Sequence, residues 1–285
     1  MKFGMNLFLW TDDPTDSAYL PLYESLESMG FDGVELPVMG RVDIDAYQAI
    51  GERLEAMGLE RTCITVCPPD ADPISPDATI RKAAAEHLRQ VVDVCAASGS
   101  RLLGGPLYAA IGEFSGAGPT SEEWKRSIDV MRDVADYASR QDVTLVLEFL
   151  NRFEIYLLNC AADTQRFVDE VAAPNIGIHY DTFHAHIEEK SVSTAISTTG
   201  SAIRHVHISE NDRGTPGQAQ VSWGETFDAL AASDYDGWLT IEAFGGLVPS
   251  LAAATKIWRP MFESEEQLAR DGLEFMKNEW AKRSG

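Results

Sequence analysis

An α/β protein of the closed (β/α)8 barrel class is what this sequence predicts, as a single domain over residues 1–285 that finishes in a C-terminal helix. Three observations predict it. Short apolar runs alternate with amphipathic helical patterns eight times, and no change of composition marks a linker between them. Four of the later runs end in a side chain able to ligate a metal: 143–147 before Glu148, 176–180 before Asp181, 203–206 before His207 and 238–241 before Glu242. Those four residues are spaced by 33, 26 and 35 positions, close to the roughly 30 residues per strand-helix unit of such a barrel. Four consecutive units would therefore set Glu148, Asp181, His207 and Glu242 at the carboxyl end of one sheet, where barrel sites are built. A doubly wound open sheet is the competing architecture.

Residues 3–10 are apolar and read as the first strand, followed by a helical pattern over 14–29 that Gly30 closes as a C-terminal cap. A short strand at 33–36, a helix at 43–57 ending before Gly58 and a third strand at 59–66 come next. The prolines of CPPDADPISPDAT preclude regular structure and leave a loop able to help form a site. Asp77 is the expected N-cap of a long helix over 78–97, ended by Gly99. Strand four is 101–104, and GGPLYAAIGEFSGAGPT after it is a glycine-rich loop without a phosphate-binding pattern. Ser121 is the expected cap of a helix over 122–140, whose first acids favour its N-terminus. Strand five carries Glu148, helices at 163–171, 191–200 and 223–232 separate the remaining strands, and 264–283 is the last helix.

The chain is 45% hydrophobic and 24% charged, ordinary for a globular protein, but its net charge is −22. A surface so acidic repels a phosphate backbone, which excludes nucleic acid as a partner. No apolar run approaches the 18 residues of a membrane span. MKFGMNLFLWTDD lacks the small-residue cleavage site of a signal peptide, and a cytoplasmic protein without a membrane partner is expected. Cys63, Cys67, Cys95 and Cys160 have neither metal nor disulfide spacing. Cys63 and Cys67 read as buried filler on one strand face, with Cys67 alternatively lining the pocket.

Three carboxylates and one imidazole suit a single divalent cation that keeps positions open for substrate. Without a thiolate the set does not suit structural zinc; Mn2+ or Co2+ fits, and Mg2+ is possible. A cation held by adjacent oxygens of an α-hydroxyketone polarises the carbonyl and stabilises the enediolate left when the neighbouring C–H loses its proton. With Glu148 and Glu242 on opposite sides of the substrate, one removes the proton and the other returns it on the other face, which is epimerisation. One glutamate acting alone would give aldose-ketose isomerisation. Trp10, at the end of strand one, is either a pocket wall or core packing. His205 is expected to face the helices as a structural residue, and His179 to share the face of Asp181 deeper in the barrel.

NRFE after Glu148, DTFH then IEE at Asp181, HVHISEN then Arg213 at strand seven and IEAF at strand eight together resemble the D-tagatose/D-psicose (allulose) 3-epimerases, ketose 3-epimerases of the sugar isomerase/epimerase TIM-barrel superfamily. GLE before strand three, SPD before helix three and KIWRPM at 256–261 extend the resemblance over most of the chain. It implies a barrel, a manganese or cobalt ion on Glu148, Asp181, His207 and Glu242, and Glu148 and Glu242 as the acid/base pair inverting C3 of a free ketose. It also implies that Glu154, His184 and Arg213 hold the oxygens at the C1 to C3 end of the sugar, and that the protein is a homodimer or homotetramer. Read from the residues alone, Glu154 could instead pair with Arg152, His184 could be a satisfied loop histidine and Arg213 could be solvated. The loop YAAIGEF lacks the tryptophan that the resemblance places near Ile111. The same barrel and metal would also serve a sugar isomerase, an inosose dehydratase or a keto-glycoside epimerase or lyase. A noncatalytic metal- or sugar-binding barrel is the reading from another class, and it has no need of both glutamates.

Overall fold

Asn6 decides where the first strand stops. In the computed structural model, which describes residues 1–40 and 42–283, β1 spans Lys2–Asn6. The Asn6 side chain then accepts from the Phe8 backbone N–H at 2.8 Å and opens a 3-10 turn over Leu7–Leu9, so the apolar run expected as strand through 10 leaves the sheet early. Asp16 likewise caps a separate 3-10 turn, Ser17–Tyr19, and α1 is only Leu20–Met29, with Gly30 at φ 90 ending it in the left-handed conformation glycine tolerates.

The alternation then proceeds as β2 (Gly33–Pro37), α2 (Ile44–Met57), β3 (Glu60–Ile64), α3 (Ala78–Ala97), β4 (Leu102–Gly105), α4 (Ser121–Ser139), β5 (Thr144–Glu148), α5 (Ala161–Val171) and β6 (Ile176–Asp181). Two short helices follow, α6 (Thr182–Glu188) and α7 (Val192–Thr199), then β7 (Ile203–Ile208), α8 (Trp223–Ala232), β8 (Trp238–Ile241), α9 (Pro249–Thr255) and α10 (Glu265–Ala281). Asp43 and Asp77 cap α2 and α3 as their residue type predicts. The cap of α4 is Thr120, one residue before the expected Ser121, because Glu123 answers it in a reciprocal capping box. Neither α6 nor α9 was expected from the periodicity, since seven residues are too few to show it. Asp181 produces α6: the residue that closes β6 also accepts from the Phe183 backbone N–H at 2.6 Å.

All eight strands are parallel and each pairs with the next. β1 returns to β8 from Lys2↔Trp238 to Met5↔Ile241, which closes the barrel and removes every free edge. The helices cover it, so the strands are buried on both faces and read as continuous apolar runs. Cys63 is buried on β3, whereas Cys67 lies past the strand; it is also buried, its thiol facing the Leu107 carbonyl at 3.4 Å, so it fills core and does not line an open pocket. Among the described residues no helix is long and apolar enough to cross a membrane.

Candidate active site

The register of three strand pairs assembles the site. Glu148 pairs with His179 across β5 and β6, Asp181 with His207 across β6 and β7, and His207 with Thr240 across β7 and β8, two residues before Glu242. Glu148, Asp181, His207 and Glu242 thus converge, each buried, with one ligand atom apiece within 4.8 Å of the others. His207 Nδ1 is 3.4 Å from Glu242 Oε1, 3.8 Å from Asp181 Oδ2 and 3.9 Å from Glu148 Oε1, and among the described residues no atom satisfies it by a hydrogen bond. Burial, and next the charge of Glu242, push the Glu148 carboxyl well above the usual carboxylate range. Burial would raise Asp181 too, but the Arg213 guanidinium holds it well below that range.

Arg213 is brought in by the β7–α8 loop and is buried, not solvated. Its Nη1 donates to Glu242 Oε2 at 2.5 Å, Ser209 Oγ at 2.7 Å and Asp181 Oδ2 at 2.9 Å, while its guanidinium lies over the ring of Phe183, 3.8 Å from the centroid. The loop is shaped around a carboxylate that sequence reasoning missed. Glu210 accepts from the backbone N–H groups of Asn211, Gly217, Gln220 and Val221 and from Trp223 Nε1 at 2.8 Å, and Arg213 itself sits at φ 61. A charged acceptor saturated by five donors makes a loop rigid without regular structure.

His184 stands on α6 and is buried. The Asn151 backbone N–H donates to its Nδ1 at 3.0 Å, and Arg213 Nη2 stands 3.1 Å from its Nε2. Nε2 lies 3.7 Å from Glu148 Oε1 and 3.9 Å from Asp181 Oδ2. Burial pushes the imidazole down to about 3, so the ring is neutral. Glu154 does not pair with Arg152. It accepts from Asn151 Nδ2 at 2.7 Å, and Arg152 forms a bidentate pair with Glu188 on α6. The glycine-rich loop after β4 leans on this segment, for Gly112 donates to the Glu154 carbonyl at 2.8 Å. Ile111 beside it is partly buried against the core. Trp10 is half-buried at the end of the 3-10 turn after β1, where Tyr19 Oη donates to its carbonyl at 3.3 Å.

Beneath the cluster lies a second buried layer. His205 was expected to face the helices; the structure overturns this, because residues two apart on one strand share a face. His205 lies on the same interior as His207, with ring centroids 5.2 Å apart, and its Nε2 is 2.8 Å from Glu35 Oε1. His179 packs at right angles to His207, 3.9 Å between centroids, and is buried as expected. A Cβ on Gly104 would stand 3.1 Å from His179 Nδ1, so glycine there leaves the ring its room. Glu35 itself, on β2, was missed, although a lone carboxylate in GVELP was a signal open to reading. Burial alone would raise Glu35, but the His207 and His205 imidazoles outweigh it and hold the carboxyl well below its ordinary range.

A closed parallel barrel with three carboxylates, an imidazole and a guanidinium gathered at its strand ends could hold a divalent cation there. The chain belongs to the xylose isomerase-like TIM barrel family, which its residues 23–279 match. A probable ketose 3-epimerase of Synechocystis sp. is 32% identical over 279 residues, 97% of this chain and 96% of its own. An L-ribulose 3-epimerase of Mesorhizobium japonicum is 32% identical over 277 residues, 96% and 93% of the two chains. Among solved structures, a D-allulose 3-epimerase from Methylomonas sp. in complex with D-allulose matches with a TM-score of 0.92 at 28% identity, over 98% of this chain and 97% of that one. The resemblance of the strand-end motifs to ketose 3-epimerases is thereby borne out.

Proposed function

We propose that this protein is a metal-dependent carbohydrate epimerase that inverts C3 of a free ketose of the D-tagatose, D-psicose or D-fructose type, with Glu148 and Glu242 as its acid/base pair. One observation carries the reading. His207 Nδ1 is a buried nitrogen without a hydrogen-bond partner among the described residues, and it faces carboxylate oxygens of Glu148, Asp181 and Glu242 that crowd one space. Three carboxyl groups confined around one imidazole lone pair have only the Arg213 guanidinium as counter-charge, and the donor set fits a further cation. Glu148, Asp181, His207 and Glu242 would hold it, and oxygen-rich ligation suits Mn2+ or Co2+, with Mg2+ possible. When bound, such an ion supplies Lewis-acid polarisation of the ketose carbonyl and its neighbouring hydroxyl.

The rest falls to the chain. Arg213 and His184, whose Nη2 and Nε2 lie 3.1 Å apart, border the cluster together, and Glu154, tied to His184 through Asn151, completes the group proposed to orient the C1 to C3 oxygens. One glutamate takes the C3 proton as base, leaving an enediolate, and the other delivers a proton to the opposite face of C3. Burial of both carboxyls excludes water that would otherwise protonate C3 at random. Assembly into a homodimer or homotetramer is part of the proposal, and the exposed Leu247 and Trp258 beyond β8, 56% and 72% exposed, support it.

The test is to strip the protein of metal, restore Mn2+ and incubate it with D-fructose, D-tagatose or D-psicose in D2O, following C3 by NMR. Deuterium at C3 with inversion, dependent on Mn2+, is expected. Deuterium at C1 with an aldose appearing would make the protein an isomerase, and no exchange with any free ketose would move the substrate to a keto-glycoside or inosose.

A further inference from the structure

We infer that Glu35 is a positioning residue: from the opposite side of the barrel it holds His207 in the one orientation and tautomer that presents Nδ1 to the cation. This deepens the proposed function and rests on its cation site. Glu35 is fully buried on β2, 172 positions from His207 in sequence. Its Oε2 accepts from His207 Nε2 at 2.6 Å and Asn6 Nδ2 at 2.8 Å. Its Oε1 accepts from Thr62 Oγ1 at 3.0 Å, with His205 Nε2 standing 2.8 Å away.

A neutral imidazole carries one proton, and its position follows the acceptor beside it. With a carboxylate at Nε2 the proton belongs there and the lone pair is left at Nδ1, the nitrogen that faces Glu148, Asp181 and Glu242. A carboxylate behind a ligating histidine also raises the basicity of the ligating nitrogen. The anchor is itself rigid: Asn6 cannot rotate away, because its side-chain oxygen caps the 3-10 turn after β1 while its amide holds Glu35. The ring nitrogens of His179, His205 and His207 also approach within 4.8 Å of one another. We read them as support for the upper layer and not as a second cation site, since His207 commits Nε2 to Glu35 and Nδ1 upward, while His205 Nε2 stands 2.8 Å from the same carboxylate. That lower layer is the mounting of the upper one.

Glu35→Gln keeps the volume and removes the charge. Whichever way its amide turns, one of the two histidines meets an NH2 group in place of an oxygen. The experiment is Mn2+ binding to metal-stripped protein by titration calorimetry, with the free ion counted by EPR. Folded Glu35→Gln is expected to bind Mn2+ about 10- to 100-fold more weakly than the unaltered chain, with its lost activity restored in part by raised Mn2+. Thr164→Val, an equally buried polar position on α5, controls for general disturbance of the interior and is expected to leave affinity within about threefold, below the outer-shell effect. If Glu35→Gln does not fold, Glu35→Asp keeps the charge but withdraws it by one methylene, and is expected to fall between the two. Unchanged affinity in a folded Glu35 variant, or an equal loss in Thr164→Val, overturns the positioning role while leaving the functional reading intact. Failure of the unaltered chain to bind Mn2+ at all sinks the cation site and this inference with it.

Discussion

Replacing Arg213 with alanine sets two properties of the site against each other. The guanidinium is buried and donates to Asp181 and Glu242 at 2.9 and 2.5 Å, so its removal leaves two carboxylates without a counter-charge among three. Breaking a buried ion pair from one side costs roughly 3–5 kcal/mol, and the contact with the Phe183 ring is lost as well. In a chain of this size that corresponds to roughly 5–8 °C in the melting temperature of the metal-free protein. The same deletion removes a positive charge within hydrogen-bond distance of two of the oxygens that would hold a cation. At an effective dielectric of about 20 the relieved repulsion amounts to several kcal/mol before screening, so Mn2+ should bind about tenfold tighter or more. Calorimetric melts of metal-free Arg213→Ala with and without Mn2+ read both effects, and added Mn2+ should recover more stability in the variant than in the unaltered chain. A melting temperature within about 2 °C of the unaltered protein, well short of the cost expected for a broken buried pair, together with unchanged Mn2+ affinity, would refute the charge balance drawn for this site.

Glu148→Gln and Glu242→Gln should each slow C3 deuterium exchange by at least about 10²-fold, the usual scale for a positioned acid or base, with the circular dichroism spectrum unchanged; full turnover in either variant would remove that glutamate from its assigned role. Glu188, where burial is outweighed by hydrogen bonds from Arg152, has its carboxyl held below its ordinary 4.5. The stability it contributes is therefore present above pH 4.5 and lost as the pH falls through the lowered folded value. Glu188→Gln should lower the melting temperature at pH 7 and flatten the acid side of a plot of melting temperature against pH, so that the two proteins converge as the pH falls below the lowered folded value; a parallel shift at all pH values would contradict this.

The acidic strand ends were legible because a charge that ends an apolar run is conspicuous, and the period of the runs placed four of them in register. His205 was legible too, since the two-residue period of a strand puts it on the face of His207, and its misplacement was an error of counting. Other features left no local trace. Arg152 takes Glu188 as its partner and not the nearby Glu154, because α6 carries Glu188 back over the loop. Nothing around GVELP says what its glutamate meets.

The repeat of apolar runs and helix caps by itself pointed to the barrel and to the end at which Glu148, Asp181, His207 and Glu242 lie, because a strand's composition and a helix's caps are local consequences of residue type. Only the tertiary structure decided the second layer. Closing β1 onto β8 and β2 across from β7 brings Asn6 and Glu35 to His207. The bent loop around Glu210 turns Arg213 from the solvent into the cluster. Those contacts join residues far apart in the chain through a closed interior, where each buried charge must find its partners, and that requirement has no signature in the spacing of residues along one strand.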